Sequence, residues 1–293
     1  MPELPEVETI KRDLLETVLN KEIQSVAVWL DRVYLNPDNI AVRGVIENIS
    51  RVGKYLILDI KDNSTLIIHL RMTGKLVYTA SQNVVPTSNR LVGTRHATSN
   101  PVVPISNRRT EMGGDHIRVV FNFKTQDSLL FQDIRTFGLI EVLPYKTDIK
   151  NVKKIGVDAL SPEFTVDYLI KLCHKKTTPI KTLLLDQTLI AGIGNIYAQE
   201  ILFKAGISPM RKSNTLKKNE ITKLWKATIK ILNLALKYNG TSISDFRRVD
   251  DKQGEFQNFL KVYGKKVCSV CRNELLKIKQ SGRSTSYCGN CQV

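Results

Sequence analysis

The sequence predicts an α+β, multidomain protein: an N-terminal β-sandwich with flanking helices, a helical middle segment, and a C-terminal four-cysteine zinc-finger β-hairpin. Three observations carry that class. Short apolar, partly alternating segments separated by turn residues fill the first half of the chain. From Ser161 onward the apolar positions recur at helical spacing. At the end, Cys268-x2-Cys271 and Cys288-x2-Cys291 are separated by sixteen residues, a spacing that fits a tetrahedral zinc site.

The chain opens Met1-Pro2-Glu3-Leu4-Pro5-Glu6-Val7-Glu8. Pro5 suits a first helical turn, Glu6 and Glu8 sit where the helix dipole favours negative charge, and Val7, Ile10, Leu14, Leu15 and Val18 recur at helical spacing. A helix from Pro5 to Leu19 is expected. Removal of Met1, expected ahead of so small a residue as proline, would leave Pro2 as a free secondary amine. An α-amino group titrates near about 7.8, against about 10.4 for lysine, so part of it is nucleophilic at neutral pH. Added to a sugar C1′, such an amine gives an iminium ion that keeps its charge and serves as an electron sink, and Glu3 is placed to move the protons. Taken alone, the same residues are also an ordinary helix start.

Ile23–Leu30 is apolar and β-branched. Lys54–Ile60 and Thr65–Met72 flank the turn Lys61-Asp62-Asn63-Ser64, and Ile117–Phe123 and Ser128–Gln132 flank Lys124–Asp127; each pair predicts a hairpin. With a further strand at Phe137–Val142 these segments make a sandwich that ends near Tyr145. Between the hairpins, residues 80–114 are rich in Ser, Thr, Asn and Pro. They hold a near repeat, Val84-Val85-Pro86-Thr87-Ser88-Asn89-Arg90 against Val102-Val103-Pro104-Ile105-Ser106-Asn107-Arg108, and read as an inserted loop whose four arginines are either solvated or in contact with DNA.

Ser161 is a candidate N-cap ahead of Pro162 and Glu163. After Ile180–Leu185 comes Asp186-Gln187-Thr188-Leu189-Ile190-Ala191-Gly192-Ile193-Gly194, then a helix over Asn195–Lys204. A long amphipathic helix over Asn219–Tyr238 ends at Asn239-Gly240. Gly192 and Gly194 before a helix would let the backbone approach a phosphate, with Asn195 as a further donor, although two such glycines also serve as plain turn residues. Cys268, Cys271, Cys288 and Cys291 predict one structural Zn2+. Leu275–Tyr287 would form the hairpin between the pairs, with Ser281-Gly282-Arg283-Ser284 at its tip, and Cys173 stands apart as a packed thiol. The expected domains are 1–145, 146–240 and 241–293, the finger occupying 261–293.

Lys and Arg number 44 against 28 Asp and Glu, a formal charge of +16. Spread along the chain, that excess predicts a broad cationic surface for a polyanion. No run approaches the about 18–20 apolar residues of a membrane span, and the acidic start is unlike a signal peptide, so a cytoplasmic protein is expected; nothing in the sequence suggests more than a monomer.

The combination of MPELPEVE, LIAGIGNIYAQEILFKAGISP and a terminal four-cysteine finger resembles the formamidopyrimidine-DNA glycosylases, bacterial enzymes that excise oxidised purines such as 8-oxoguanine and cut the abasic strand. The likeness covers nearly all of the chain outside 80–114. It implies a β-sandwich, a helix-two-turns-helix DNA-binding domain and a zinc finger, with double-stranded DNA carrying an oxidised base or abasic site as the partner. By motif, Pro2 matches the Schiff-base nucleophile and Glu3 the acid beside it. Lys54, in Arg51-Val52-Gly53-Lys54-Tyr55-Leu56, matches the lysine of β-elimination. Arg283 matches the finger-tip arginine of δ-elimination and phosphate binding, and Asn195 the phosphate-binding asparagine.

In His69-Leu70-Arg71-Met72-Thr73-Gly74 and Asp133-Ile134-Arg135-Thr136-Phe137-Gly138, the family pattern makes Met72, Arg135 and Phe137 the inserted residues. Flipping a base out of the duplex leaves a gap, which apolar wedges and a hydrogen-bonding guanidinium would fill. From spacing alone, Met72 and Phe137 fit the sandwich core equally well. Two positions depart from the family: Arg71 stands where glycine is usual, and Gly114 where many members place a DNA-contacting histidine.

Two other functions compete with a bifunctional glycosylase and lyase for oxidised purines. One is an endonuclease VIII-type glycosylase for oxidised pyrimidines; the other is a zinc-finger protein that binds damaged DNA without turnover. Purines are favoured by Gly240–Phe246 and Gln253–Phe256, which resemble the loop that closes over a flipped purine, by MPELPEVE in place of MPEGPE, and by Arg135, whose guanidinium suits an opposing cytosine.

Overall fold

The computed structural model describes residues 1–80, 116–242 and 246–293. The expected insertion therefore lies outside the described residues from position 81 to 114, as do Ile243, Ser244 and Asp245 of the loop expected to close over a purine. A helix, α1 (Leu4–Thr17), is followed by nine strands: β1 (Glu22–Val28), β2 (Tyr34–Leu35), β3 (Gly44–Val52), β4 (Tyr55–Ile60), β5 (Ser64–His69), β6 (Gly74–Thr79), β7 (Ile117–Phe123), β8 (Ser128–Asp133) and β9 (Leu139–Pro144). Their order is β2-β9-β5-β4-β3-β1-β7-β8-β6. The sheet hinges at β1, which pairs antiparallel with both β3 and β7, so its two halves close on one core as the expected sandwich.

That core takes Leu56, Leu58, Leu66 and Ile68 from one half, Val119, Phe121, Leu129 and Phe131 from the other, and Val7, Ile10 and Leu14 from α1. Each such side chain contributes about 1.5–3 kcal/mol on burial. Leu4, at the start of the same helix, points instead into a second core built by the helical segment. The first turn of α1 therefore lies where the two cores meet.

The helical segment holds α2 (Ile149–Val152), β10 (Val157–Asp158), α3 (Val166–Lys175), α4 (Ile180–Leu185), β11 (Ile190–Ala191), α5 (Asn195–Ala205) and α6 (Lys218–Lys237). The short strands β10 and β11 pair in parallel. Ser161 does not cap a helix. Its amide closes a turn onto the Asp158 carbonyl, and the cap falls on Thr165, whose hydroxyl accepts from the Tyr168 amide at 3.1 Å. Asn239 (φ 56°) and Gly240 (φ 78°) end α6 in left-handed conformations, as expected. The chain then returns to both cores, Phe246 and Val249 to the sandwich, Phe256 and Leu260 to the helices. It finishes in the hairpin β12 (Leu276–Gln280) and β13 (Arg283–Tyr287). Among the described residues no helix is long and apolar enough to cross a membrane.

Candidate active site and zinc centre

Pro2 is buried behind an exposed Met1, at the joint between sandwich and helices. Glu3, buried, turns its carboxylate onto the first turn of α5. One oxygen accepts from the Gly194 amide at 2.8 Å and the Tyr197 amide at 3.3 Å, the other from the Ile196 amide at 2.9 Å. For Gly194, Ile196 and Tyr197 the reading of this helix end as a phosphate cradle is thereby corrected: those three amides are occupied by the protein's own carboxylate. The two glycines explain how. A Cβ on Gly192 would lie 2.5 Å from Leu4 Cδ1, and one on Gly194 would lie 2.2 Å from Glu3 Cδ, so both admit the N-terminus rather than a ligand.

Glu6 fastens the same joint from below. Its carboxylate accepts from the Glu3 amide at 2.8 Å, the Tyr197 hydroxyl at 2.5 Å and the Thr241 amide at 2.7 Å. Burial, reinforced by the charge of Glu3, pushes its pKa up to about 7.

Lys54 follows Gly53 in the two-residue turn between β3 and β4, a place that normally faces water. Here it is 5% exposed. Arg51 explains the burial: its guanidinium binds Glu8 at 2.9 Å and Asp158 at 2.5 Å, and Asp158 also accepts from the Gly53 amide at 2.7 Å. The turn is thus pressed against the helical segment, and Gly53 (φ 59°) packs on Ala191 where a Cβ would come within 2.9 Å. Burial lowers the Lys54 pKa to about 8; Arg283 pushes it the same way, while Glu3 and Glu6 oppose.

Arg283 is exposed at the start of β13, beside a tip of Ser281 and Gly282. The finger is anchored to the helices. Lys181, fully buried, donates to Thr285 Oγ1 at 2.6 Å and Asn195 Oδ1 at 2.7 Å, and Asn195 Nδ2 donates to the Ser284 carbonyl at 3.2 Å. Asn195 accordingly ties α5 to the finger. Burial brings the Lys181 pKa down to about 8, with Arg283 acting in the same direction.

The wedge candidates lie together at the other end of the sandwich. Met72 is 41% exposed and Phe137 55%, which removes them from the core, and Arg135 is also exposed. The guanidinium of Arg135 stacks 4.8 Å from the Phe137 ring and reaches Met72 Sδ at 3.6 Å. Both loops hang from the fully buried Asp133. Its carboxylate accepts from the Thr73 hydroxyl, the Arg135 amide at 3.2 Å and the Gly138 amide at 2.7 Å. Arg71 takes φ 53°, the left-handed region that suits glycine, which accounts for the usual family residue there; its amide is held by His69 Nδ1 at 3.0 Å. Gly114 lies outside the described residues.

Glu6, Lys181 and Asp133 were absent from the residues expected to act. Lys181 has a legible signal, a lone cation inside the apolar run Ile180–Leu185; Glu6 has only its place one turn after Glu3.

The sulfurs of Cys268, Cys271, Cys288 and Cys291 all lie within 4.8 Å of one another. Thiolates on a tetrahedral zinc at about 2.3 Å stand about 3.8 Å apart, which matches 3.9 Å for Cys268–Cys291 and 3.4 Å for Cys271–Cys288. Cys173 is buried and apart, as expected.

These features define a multidomain zinc protein whose site is assembled around its own N-terminus. Residues 1–140 match the formamidopyrimidine-DNA glycosylase N-terminal domain, 155–247 the formamidopyrimidine-DNA glycosylase H2TH domain, and 265–293 a zinc finger found in FPG and IleRS. The chain is 38% identical to formamidopyrimidine-DNA glycosylase from Carboxydothermus hydrogenoformans, with 100% of each chain covered. Among solved structures it resembles a Lactococcus lactis FPG mutant with Fapy-dG containing DNA (TM-score 0.82, 34% identity, 99% of each chain). It equally resembles MutM with carbocyclic 8-oxo-G containing DNA (TM-score 0.81, 34% identity, 99% of each chain). The chain belongs to the formamidopyrimidine-DNA glycosylase family, and its four clustered cysteines are the site of one structural zinc.

Proposed function

We propose that this chain is a base excision repair enzyme that removes 8-oxoguanine and formamidopyrimidines from double-stranded DNA and then cleaves the abasic strand, acting as a monomer in the cytoplasm. The observation that supports the reading is Glu3, fixed on α5 directly after the buried Pro2, with the buried Lys54 within electrostatic reach of both Glu3 and Arg283. With Met1 removed, the Pro2 nitrogen attacks C1′, the N-glycosidic bond breaks, and the base departs with a proton. Glu3, fixed by three amides, serves the proton transfers at the opening sugar. Lys54, buried and partly neutral near pH 8, takes the proton whose loss drives β-elimination of the 3′ phosphate. Arg283 holds the phosphate that leaves in the δ step.

Met72, Arg135 and Phe137 fill the gap left by the flipped base, Arg135 meeting the opposing cytosine; Asn195 positions the backbone phosphate beside the finger. The division 1–145, 146–240, 241–293 gives these tasks to the sandwich, the paired helices and the finger with its preceding loop.

Two assays test the reading. Borohydride added during reaction with a duplex holding one 8-oxoguanine should trap a covalent complex, and a protein that keeps a residue ahead of Pro2 should bind that duplex without trapping. Normal trapping by the extended protein would place the nucleophile elsewhere. Side by side, 8-oxoguanine should be released faster than thymine glycol; the reverse order would favour the endonuclease VIII-type reading.

A further inference from the structure

We propose that α6 carries a second surface for duplex DNA, separate from the lesion site and formed by Lys223, Lys226 and Lys230 with Lys204 of α5. Lys223, Lys226, Lys230, Asn233 and Lys237 follow one another at alternating spacings of three and four, and all are exposed. They form one straight polar stripe, while Ile221, Leu224, Thr228, Leu232 and Ala235 face the core. Lys204, in the last turn of α5, is brought beside them. These four lysines border a shallow cavity of about 180 Å³ whose remaining lining is Ala205 and Ala227.

Among the described residues no acid pairs with this group. Glu220, the only acid on α6, is engaged by Arg211 at 2.9 Å and by the Lys217 amide at 2.8 Å. Lysines three and four apart on one helix repel, so the stripe opposes the helix that carries it. A mixed-charge surface would have served solubility without that cost.

The stripe fits a phosphate backbone better than a protein partner. From Lys223 to Lys237 it runs about 21 Å along the helix axis, the length of about six base pairs. No large apolar side chain on α6 is exposed, so the hydrophobic anchor of a protein interface is missing. Its position also sets it apart from the lesion site. Glu3 occupies the N-terminal turn of α5, and Lys204 lies nine residues, about 13.5 Å, further along that helix. A duplex on this face would be held while another segment passes through the repair site.

The test uses the full-length protein and its Lys223→Gln/Lys226→Gln/Lys230→Gln variant, with the Arg triple variant as a charge-retaining control. Wild type, trapped by borohydride on a short 8-oxoguanine duplex, should still retain a labelled undamaged duplex; the Gln variant should lose it and the Arg variant keep it. On long undamaged DNA, the slope of log K against log salt should fall by up to about 0.9 per lysine in the Gln variant. Trapping on the short duplex should be unchanged. The proposal is overturned if the trapped wild type retains no second duplex, or if the folded Gln variant retains it equally. Slower trapping of the short duplex by the Gln variant would assign the lysines to the lesion interface and also overturn it. Should no complex trap at all, the mechanism through Pro2 fails while the salt slopes still decide this surface.

Discussion

The Glu3 carboxylate closes the N-terminus of α5, 2.8 Å from the Gly194 amide. This contact joins the residue after Pro2 to a helix nearly two hundred positions away, and it depends on Gly194 having no side chain. The backbone of Gly194 (φ −126°) suits any residue, so a substitution there acts through space alone. Gly194→Ala would place a methyl 2.2 Å from Glu3 Cδ. We expect excision of 8-oxoguanine to fall by about 10²-fold or more, as for a displaced proton-transfer group, with about 1–3 kcal/mol of stability lost to overpacking. DNA binding through the intact finger should change far less. Wild-type single-turnover rates in a folded variant would show that the Glu3 position does not govern catalysis.

In the proposed mechanism Lys54 makes the lyase step depend on pH. Its pKa is lowered from 10.5 to about 8, so the neutral base becomes available as pH rises toward 8. The β-elimination rate, measured on a preformed abasic duplex, should climb to a plateau just above that pH. Lys54→Gln should lower it by about 10²–10⁴-fold while base release falls less. Stability shifts with the same sign. Between about 8 and 10.5 the unfolded chain binds the proton more strongly than the folded one, so this group adds stability as pH rises through that window and carries a penalty below it. A flat elimination profile from pH 6 to about 9 would remove Lys54 as the base.

Much of this site was legible because its chemistry is local in sequence. The zinc ligands announce themselves by spacing, and the candidates Pro2 and Glu3 stand out by adjacency. The hairpins around Asp62 and Gln126 carried turn residues that the structure uses at positive φ. What escaped depends on contacts between distant segments. Thr165 rather than Ser161 starts α3 because the turn at Asp158–Ser161 is committed to the β10–β11 pair. The strand Gly44–Val52 was hidden by its polar residues: Glu47 meets Tyr145, and Arg51 meets Glu8 and Asp158. The glycines before α5 were read for a phosphate because nothing local shows that Glu3 arrives there first.

Metal removal should act on the finger alone. Its own core is Val262, Cys268, Leu275 and Cys288, too small to hold a hairpin without the ion. Chelation, or Cys288→Ser shown to be metal-free, should unmake the finger, release Thr285 and Ser284 from Lys181 and Asn195, and so free the neighbouring Arg283. DNA affinity should then drop at least about 10-fold, while the sandwich keeps its cooperative melting transition. Undiminished strand cleavage by a metal-free protein would rule out a positioning role for zinc.

Asp133 holds together the two loops that carry the candidate wedge. It is fully buried, and its two oxygens collect the Thr73 hydroxyl, the Arg135 amide and the Gly138 amide, one donor from the Met72 loop and two from the loop carrying Arg135 and Phe137. Between those two residues Thr136 holds φ 57°, a strained conformation for a β-branched side chain, so the loop relies on these bonds to keep its shape. Asp133→Ala should leave the Thr73 hydroxyl and the Gly138 amide without their acceptor, the Arg135 amide keeping only Thr73 Oγ1 at 3.1 Å, and cost about 1–3 kcal/mol in thermal or urea unfolding. If, as proposed, Met72, Arg135 and Phe137 meet DNA where a base is displaced, the functional loss should be selective. Excision of 8-oxoguanine opposite cytosine should fall by at least about 10-fold, whereas cleavage of a preformed abasic site in single-stranded DNA, which has no partner base to separate, should be nearly unchanged. The comparison is made well below the melting temperature of the variant. Equal losses on both substrates would mean that Asp133 supports the site as a whole and that the two loops have no separate task in opening the duplex.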